Sequence, residues 1–210
     1  MQGLYLVTPN WDDTERLLAV TAQALAAGGA GIAALQYRHK TASAELRMEQ
    51  AGALQLLCRR HQVPFVINDH VDLCQALGAD GVHLGGTDAT LAQVRAMLGP
   101  DQIIGASCYG DMQRALDAQA AGASYVAFGG FYPSRVKQYA VTTQPAILDQ
   151  ARAMIALPNV VIGGMTPANA APLVARGAGM VAAISSIYLA DDPARAVAEF
   201  LALFRRREIA

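Results

Sequence analysis

Three basic residues follow apolar runs at positions where parallel strands could bring them together. Arg38 and Lys40 follow the run IAALQY, and Lys137 follows SYVAFGG. Arginine offers a planar fork for phosphate oxygens, and lysine a compact point charge. Together they supply more positive charge than one carboxylate needs, and a diphosphate fits better. Taken singly, each could also be an ordinary solvated loop cation.

Two carboxylates stand near the same predicted sheet edge. Asp69 follows PFVIN, and Asp88 follows GVHLGGT. Two carboxylates facing a diphosphate are what Mg²⁺ requires, with substrate oxygens and waters completing an octahedron. Each aspartate also has a structural alternative as the N-cap of the helix that follows it.

A second anion site is predicted after the seventh apolar run. Gly163 and Gly164 allow backbone N–H groups to approach an anion, and a helix start adds partial positive charge. The run ISS, which contains Ser185, could complete this phosphate cup. Thr166 and Pro167 fit equally well as a plain N-cap and first helical residue.

The histidines and cysteines are weaker candidates. The spacing of His39, His70 and His83 does not suggest a zinc or iron site, and a lone histidine is usually structural. Cys108 stands beside Ser107 with no base evident in the sequence, so we expect no cysteine nucleophile.

Short β-rich runs alternate with amphipathic segments along the whole chain, which favours a (β/α)8 TIM barrel. An open doubly wound sheet is the rival fold, but no G-x-G-x-x-G follows the first run. The predicted strands cover 3–8, 32–38, 64–69, 81–84, 103–107, 124–129, 159–164 and 180–185, and the helices lie near 12–28, 42–61, 70–78, 88–98, 110–121, 144–156, 167–176 and 192–206.

Composition limits the classes of function. The 210 residues are 53% hydrophobic, which predicts one domain over 1–210, and a net charge of −1 gives no field for nucleic acid or an acidic membrane. Three cysteines without paired spacing predict reduced thiols and a cytoplasmic location. No signal peptide or membrane span is expected. The oligomeric state stays open, and a homo-oligomer is compatible with the sequence.

Several motifs, in this order, closely resemble the thiamine-phosphate synthase family. They are QYRHK at 36–40, INDHVDLCQALGADGVHLGGTD at 67–88, IIGASCY at 103–109 and VIGGMTPANA at 161–170. The resemblance extends over nearly the whole chain. It implies a TIM barrel that joins 4-amino-5-hydroxymethyl-2-methylpyrimidine diphosphate to a thiazole phosphate and releases diphosphate.

The resemblance also implies roles for individual residues. Arg38, Lys40, Ser107 and Lys137 would be the catalytic residues. The pyrimidine diphosphate would be held by Gln36, Arg38, Lys40, Asn68, Ser107 and Lys137, the thiazole phosphate by Ser134, Arg135, Val136, Gly164, Ile184 and Ser185, and Mg²⁺ by Asp69 and Asp88.

Three positions, in two segments of the chain, depart from the family pattern. Ser134 and Val136 stand where the family usually has two threonines, and Gly86 stands where glutamine or glutamate is common. Two alternatives therefore stay open: a thiazole tautomerase of the same superfamily, and a non-catalytic protein that binds thiazole phosphate. The diphosphate and Mg²⁺ residues favour the synthase.

Overall fold

The computed structural model describes residues 1–85, 90–133 and 142–205. Eight parallel strands form a closed barrel in which each strand pairs with the next along the chain and β1 pairs with β8. The strands are β1 (Gly3–Val7), β2 (Ile32–Tyr37), β3 (Phe65–Asn68), β4 (Gly81–Leu84), β5 (Ile103–Ser107), β6 (Tyr125–Gly129), β7 (Asn159–Ile162) and β8 (Met180–Ala183).

Helices follow the strands and cover the outside of the barrel. They are α1 (Thr14–Gly28), α2 (Ala44–His61), α3 (Val71–Leu77), α4 (Leu91–Leu98), α5 (Met112–Ala120), α6 (Ile147–Met154), α7 (Pro167–Ala175), α8 (Ser185–Tyr188) and α9 (Pro193–Arg205), with a 3₁₀ turn at Gly29–Gly31. The predicted TIM barrel is confirmed, and each strand agrees with its predicted range to within two residues.

The strands are buried on both faces because each face packs against a separate core. Outward side chains such as Leu4 and Phe65 pack against the helices. Inward side chains such as Val66, Val160 and Met180 fill the barrel interior. This explains why the strands read as continuous apolar runs rather than as alternating patterns.

Side-chain caps define where several helices begin. Ser43 accepts a hydrogen bond from the Leu46 N–H at the start of α2, and Asp111 caps α5 in the same way. Thr90 caps α4, and His70 precedes α3 without a capping side-chain bond among the described residues. The alternative of Asp69 as an N-cap is therefore wrong, and its carboxylate is available for another role.

In the described ranges, no helix is long and apolar enough to cross a bilayer.

Candidate active site

A cavity of about 290 Å³ opens where the strands end. Side chains from all eight strands contribute to its wall, as expected for the carboxyl-terminal face of a parallel barrel. The predicted site residues that line it are Gln36, Arg38, Lys40, Asn68, Asp69, Ser107, Gly164, Ile184 and Ser185. The predictions for Asp88, Ser134, Arg135, Val136 and Lys137, and the departure at Gly86, lie outside the described residues.

Asp69 is the centre of a polar cluster at one side of the cavity. Its Oδ2 accepts hydrogen bonds from Lys40 Nζ and from Asn68 Nδ2, the latter at 2.7 Å, while Oδ1 accepts from the Gly85 N–H at 2.9 Å. The backbone of Asp69 has φ +63°, in the left-handed region. This conformation lies directly after β3, and the three hydrogen bonds fix where the carboxylate points.

The surroundings of Asp69 keep its carboxylate ionised. Burial by itself would raise the pKa of Asp69, but the hydrogen bonds from Lys40, Gly85 and Asn68 and the Lys40 charge outweigh it and hold the pKa below its usual value. The side chain is only 14% exposed, whereas Lys40 is about half exposed. A shielded carboxylate next to a solvent-facing cation therefore persists at neutral pH.

Thr8 and Asn10, which follow β1 and are not among the predicted site residues, form hydrogen bonds with Arg38 and Lys40. The buried Thr8 hydroxyl accepts from the Arg38 N–H at 2.8 Å and donates to the Arg38 carbonyl. Asn10 Oδ1 accepts from Arg38 Nη1 at 3.3 Å and from the Lys40 N–H at 3.2 Å. The sequence feature that could have identified Thr8 and Asn10 is their position in TPN directly after β1, where polar residues of a barrel face the site.

Gly163 and Gly164 form a turn whose geometry requires glycine. Both have positive φ, +115° and +60°. A Cβ at position 164 would lie 2.2 Å from the Pro133 carbonyl oxygen, because the chain after β6 packs directly on this turn. Both glycines line the cavity, so this part of its wall consists of backbone.

Ser185 begins the short helix α8 beside that turn. Ile184 precedes it with φ −122° and ψ −86°, so the chain bends sharply where β8 ends. The first N–H groups of a helix have no partner within it. The turn at Gly164 and the start of α8 therefore both present backbone atoms to one end of the cavity.

A chain of hydrogen bonds crosses the floor of the cavity. Gln36 Nε2 donates to the Tyr5 hydroxyl at 3.1 Å, and the hydroxyls of Tyr5 and Tyr125 are 2.6 Å apart. The Tyr125 hydroxyl lies 2.9 Å from His83 Nδ1, and His83 Nε2 lies 2.9 Å from Ser107 Oγ. The sequence predicts only a structural role for His83, whereas its ring contacts the predicted substrate residue Ser107.

The two tyrosines of this chain remain protonated at neutral and moderately alkaline pH. Burial raises the pKa of Tyr5 to about 12, although hydrogen bonds with Tyr125 and Gln36 oppose the shift. Burial also raises the pKa of Tyr125 well above its ordinary value. Both hydroxyls therefore act as neutral hydrogen-bond donors and acceptors.

The cysteines play no part in the cavity. Cys58, Cys74 and Cys108 are buried free thiols. Burial raises the pKa of Cys108 to about 12, which removes the reactive thiolate at neutral pH. The sequence expectation that Cys108 is not a nucleophile agrees with this environment.

The fold and the site define the class of the protein: a (β/α)8 barrel with a polar, partly charged cavity at the carboxyl ends of its strands. The family model for thiamine monophosphate synthase matches residues 4–187. The chain belongs to that family, and the prediction of a transferase of thiamine biosynthesis is confirmed.

Individual relatives agree over nearly the full length. A thiamine-phosphate synthase of Janthinobacterium sp. is 61% identical over 206 residues, 98% of each chain. One from Thiobacillus denitrificans is 49% identical over 202 residues, covering 96% of this chain and 94% of the relative. The solved thiamine phosphate pyrophosphorylase from Pyrococcus furiosus superposes with a TM-score of 0.82 at 29% identity, over 98% of this chain and 96% of that one.

Proposed function

We propose that this transferase binds 4-amino-5-hydroxymethyl-2-methylpyrimidine diphosphate and a thiazole phosphate side by side in the barrel cavity, and joins them to give thiamine monophosphate and diphosphate. The observation that carries the proposal is the composition of the cavity wall. Arg38, Lys40 and the ionised Asp69 follow β2 and β3, whereas Gly164 and Ser185 follow β7 and β8 on another part of the wall.

The pyrimidine ring is assigned to the cavity floor between Gln36 and Ser107. Strands β2 and β5 are three positions apart in the closed barrel, so these two side chains approach the cavity from opposite walls. A planar heterocycle fits between them with one edge toward each. Apolar wall atoms, including those of Val7 and Ala127, cover its faces.

Arg38 and Lys40 are assigned to the diphosphate. Asn10 holds the Arg38 guanidinium and Asp69 holds the Lys40 ammonium, which reduces the freedom that these two side chains would lose on binding. Asn68, beside Asp69, is placed to contact the same group. Lys137 stays a predicted diphosphate ligand, and Ser134, Arg135 and Val136 stay predicted neighbours of the thiazole phosphate.

The residues present fit one part of a Mg²⁺ site. Asp69 offers a hard, ionised oxygen ligand that already faces a cation, Lys40. Asp88 is the predicted second ligand. When bound, the ion would neutralise charge on the leaving diphosphate.

The thiazole phosphate is assigned to the backbone at Gly164, Ile184 and Ser185. A phosphate there would accept from N–H groups rather than from cations, and the first turn of α8 adds little beyond those N–H groups. The two phosphate sites would thus be separated by the width of the cavity, which places the thiazole ring next to the pyrimidine.

The reaction needs no protein nucleophile. The bond between the pyrimidine methylene carbon and the diphosphate oxygen breaks, and its electron pair leaves with the diphosphate. The lone pair of the thiazole nitrogen then forms the new carbon–nitrogen bond, so no proton has to move. Arg38 and Lys40 stabilise the charge that grows on the leaving group, and the cavity holds the two rings in contact.

A coupling assay with both purified substrates tests the proposal. We expect thiamine monophosphate and diphosphate in equal amounts, only with both substrates and Mg²⁺ present. Conversion of the thiazole phosphate alone to its tautomer, without coupling, would support the tautomerase. Binding of thiazole phosphate without any turnover would support the non-catalytic alternative.

We also propose that residues 1–210 act as one catalytic domain in the cytoplasm. The family match covers most of the chain, and the three buried free cysteines suit a reducing compartment. A homo-oligomer stays a prediction, which light scattering of the purified protein tests.

A further inference from the structure

The chain of hydrogen bonds under the cavity joins one residue from each of five strands. Three of these residues, Tyr5, Tyr125 and His83, have no role in the proposed chemistry. Tyr5, Tyr125 and His83 are 2%, 0% and 7% exposed, so none of them is simply a surface group. Buried polar side chains reduce stability unless they are paired. Their hydrogen bonds link Gln36 at one wall to Ser107 at the other.

The packing around the Tyr125 and His83 rings restricts where these rings can lie. The His83 and Tyr125 rings stack at 5.6 Å with an interplanar angle of 20°. Gly105 lies against both: a Cβ there would be 2.1 Å from Tyr125 Cζ and 2.6 Å from His83 Nδ1. The rings therefore have one well-defined arrangement.

The distances allow two opposite directions of the protons along this chain, because either hydroxyl of the Tyr5–Tyr125 pair can donate and the roles of the His83 nitrogens depend on its tautomer. The donation from Gln36 Nε2 to the Tyr5 oxygen favours the direction in which Tyr5 uses its own proton to donate to Tyr125. The Tyr125 proton then goes to His83 Nδ1, and His83 carries its own proton on Nε2, facing Ser107. Ser107 Oγ accepts this bond, so the serine proton points elsewhere.

We propose that Tyr5, Tyr125 and His83 are positioning residues that set the hydrogen-bonding polarity of the pyrimidine site. They make Ser107 a donor toward the cavity, and they occupy the Gln36 amide nitrogen so that its Oε1 is presented as an acceptor. This inference rests on the proposed function, since it concerns the pyrimidine half of the same cavity.

One chemical class matches this polarity. An aminopyrimidine carries an exocyclic N–H donor and, across the ring, a nitrogen acceptor. The donor fits Gln36 Oε1, and the ring nitrogen fits the Ser107 hydroxyl. A 4-oxo pyrimidine would place a carbonyl oxygen against Gln36 Oε1, and two acceptors cannot pair. A site that hydrogen-bonds a substrate group discriminates strongly against an analogue that lacks it.

The first experiment measures the proton position directly. The wild-type protein is labelled with ¹⁵N-histidine and its ring nitrogens are recorded by NMR at pH 7.5, with His83→Gln used to assign the signals. We expect the Nε2–H tautomer at His83. A histidine protonated on Nδ1 would reverse the chain and overturn the proposal, whether or not the enzyme couples its substrates.

The second experiment is a double-mutant cycle on coupling. We expect Tyr125→Phe to raise the KM for the pyrimidine diphosphate about tenfold, since one aligned hydrogen bond is weakened, while the KM for the thiazole phosphate stays within about twofold. In the Ser107→Ala background the same change should add little, because the chain acts through Ser107. Fully additive effects would overturn the proposal.

Tyr37→Phe is the matched control. The Tyr37 hydroxyl is equally buried but faces α2, where it donates to Gln50 Oε1 at 3.0 Å. It should leave both KM values unchanged, so equal effects from Tyr37→Phe and Tyr125→Phe would show a general structural cost and overturn the proposal.

A third measurement uses only the wild-type protein, in case Tyr125→Phe does not fold. Calorimetry compares 4-amino-5-hydroxymethyl-2-methylpyrimidine diphosphate with its 4-oxo analogue, and we expect at least about 100-fold weaker binding of the analogue. Equal affinity would overturn the inference. Failure of the proposed function is a separate outcome: no coupling by the wild-type enzyme, whatever the binding preference.

Discussion

Asp69 is held in a left-handed backbone conformation with a carboxylate that three donors surround. Asp69→Asn keeps this conformation accessible, because asparagine tolerates positive φ. It removes the charge that a divalent cation needs. We expect the Mg²⁺-dependent coupling rate to fall at least about 100-fold, since a bound metal contributes several kcal/mol to stabilising the charge of the transition state.

The control for this prediction is Asp72→Asn, an exposed carboxylate in the first turn of α3. It should couple at close to the wild-type rate. Steady-state rates over a Mg²⁺ titration give the comparison. Wild-type turnover by Asp69→Asn at ordinary Mg²⁺ concentration would remove Asp69 from the metal site.

A second prediction concerns the effect of a substitution at Gly105 on stability and on substrate binding. Gly105→Ala forces a methyl group into the space of the Tyr125 and His83 rings. We expect the free energy of unfolding to fall by about 1–3 kcal/mol, as for other overpacked cores, and the KM for the pyrimidine diphosphate to rise. Urea unfolding and steady-state kinetics measure the two effects.

Gly52→Ala serves as the comparison for Gly105→Ala. Gly52 lies within α2, and a Cβ there would meet only the Leu77 Cδ2 atom, at 3.9 Å. This variant should be neutral or more stable by about 0.5–1 kcal/mol. Equal stability of the two alanine variants would show that the floor of the cavity has room to spare.

Some site residues could be predicted from the sequence and others could not, and the difference has a physical reason. Arg38, Lys40 and Asp69 could be predicted because they are charged and follow apolar runs. Tyr5 and Tyr125 could not, because an aromatic residue inside a strand is typical of any core. Their hydrogen bond joins β1 to β6, and contacts between strands that are not neighbours leave no local pattern.

Among the elements, the turn after β7 and the start of α7 form one unit. Thr166 and Asn169 cap α7 reciprocally, with the Thr166 N–H donating to Asn169 Oδ1 at 2.8 Å. Asn169 Nδ2 also donates to the Gly164 carbonyl at 2.9 Å. The helix cap thus holds the backbone to which the thiazole phosphate is assigned.

This arrangement predicts different outcomes for two capping variants. Thr166→Ala and Asn169→Ala should each lower the free energy of unfolding by about 1 kcal/mol, the usual effect of losing a cap. Only Asn169→Ala should also raise the KM for the thiazole phosphate, because only it releases Gly164. An equal rise in the KM for the thiazole phosphate in both variants would show that loss of the cap, and not release of Gly164, causes the effect. That result would contradict the assignment.

Element positions were predictable because the barrel repeats one pattern eight times. Alternation of buried strands with amphipathic helices placed every strand to within two residues. The helix α8 was missed, since its four residues, Ser185–Tyr188, are too few to show a helical period.

Across the molecule, packing inside the barrel and between the barrel and its helices buries four tyrosines. Burial raises the pKa of Tyr5 and of Tyr37 to about 12 and also raises the pKa of Tyr125 and Tyr188. In the unfolded chain a tyrosine ionises near pH 10. Between these values the folded protein retains protons that the unfolded chain has lost.

This difference in bound protons makes the free energy of unfolding depend on pH in the alkaline range. When the unfolded state binds fewer protons, the free energy of unfolding falls as pH rises, so the stabilisation is complete below about pH 10 and is lost toward pH 12. We expect a loss of about 1.4 kcal/mol per pH unit for each such tyrosine. Urea unfolding at a series of alkaline pH values, with tyrosinate absorbance recorded in parallel, measures it.

Tyr188→Phe isolates one tyrosine from the other alkaline groups. The Tyr188 hydroxyl lies 3.0 Å from Thr21 Oγ1, which keeps a second partner in the Leu17 carbonyl, so the variant leaves no buried hydroxyl unpaired. Its stability should decline less steeply above pH 10, by about 1.4 kcal/mol per pH unit, because one proton fewer is linked to unfolding. Identical slopes for the variant and the wild type, or tyrosinate absorbance from Tyr188 in the folded protein near pH 10, would contradict the burial of this hydroxyl.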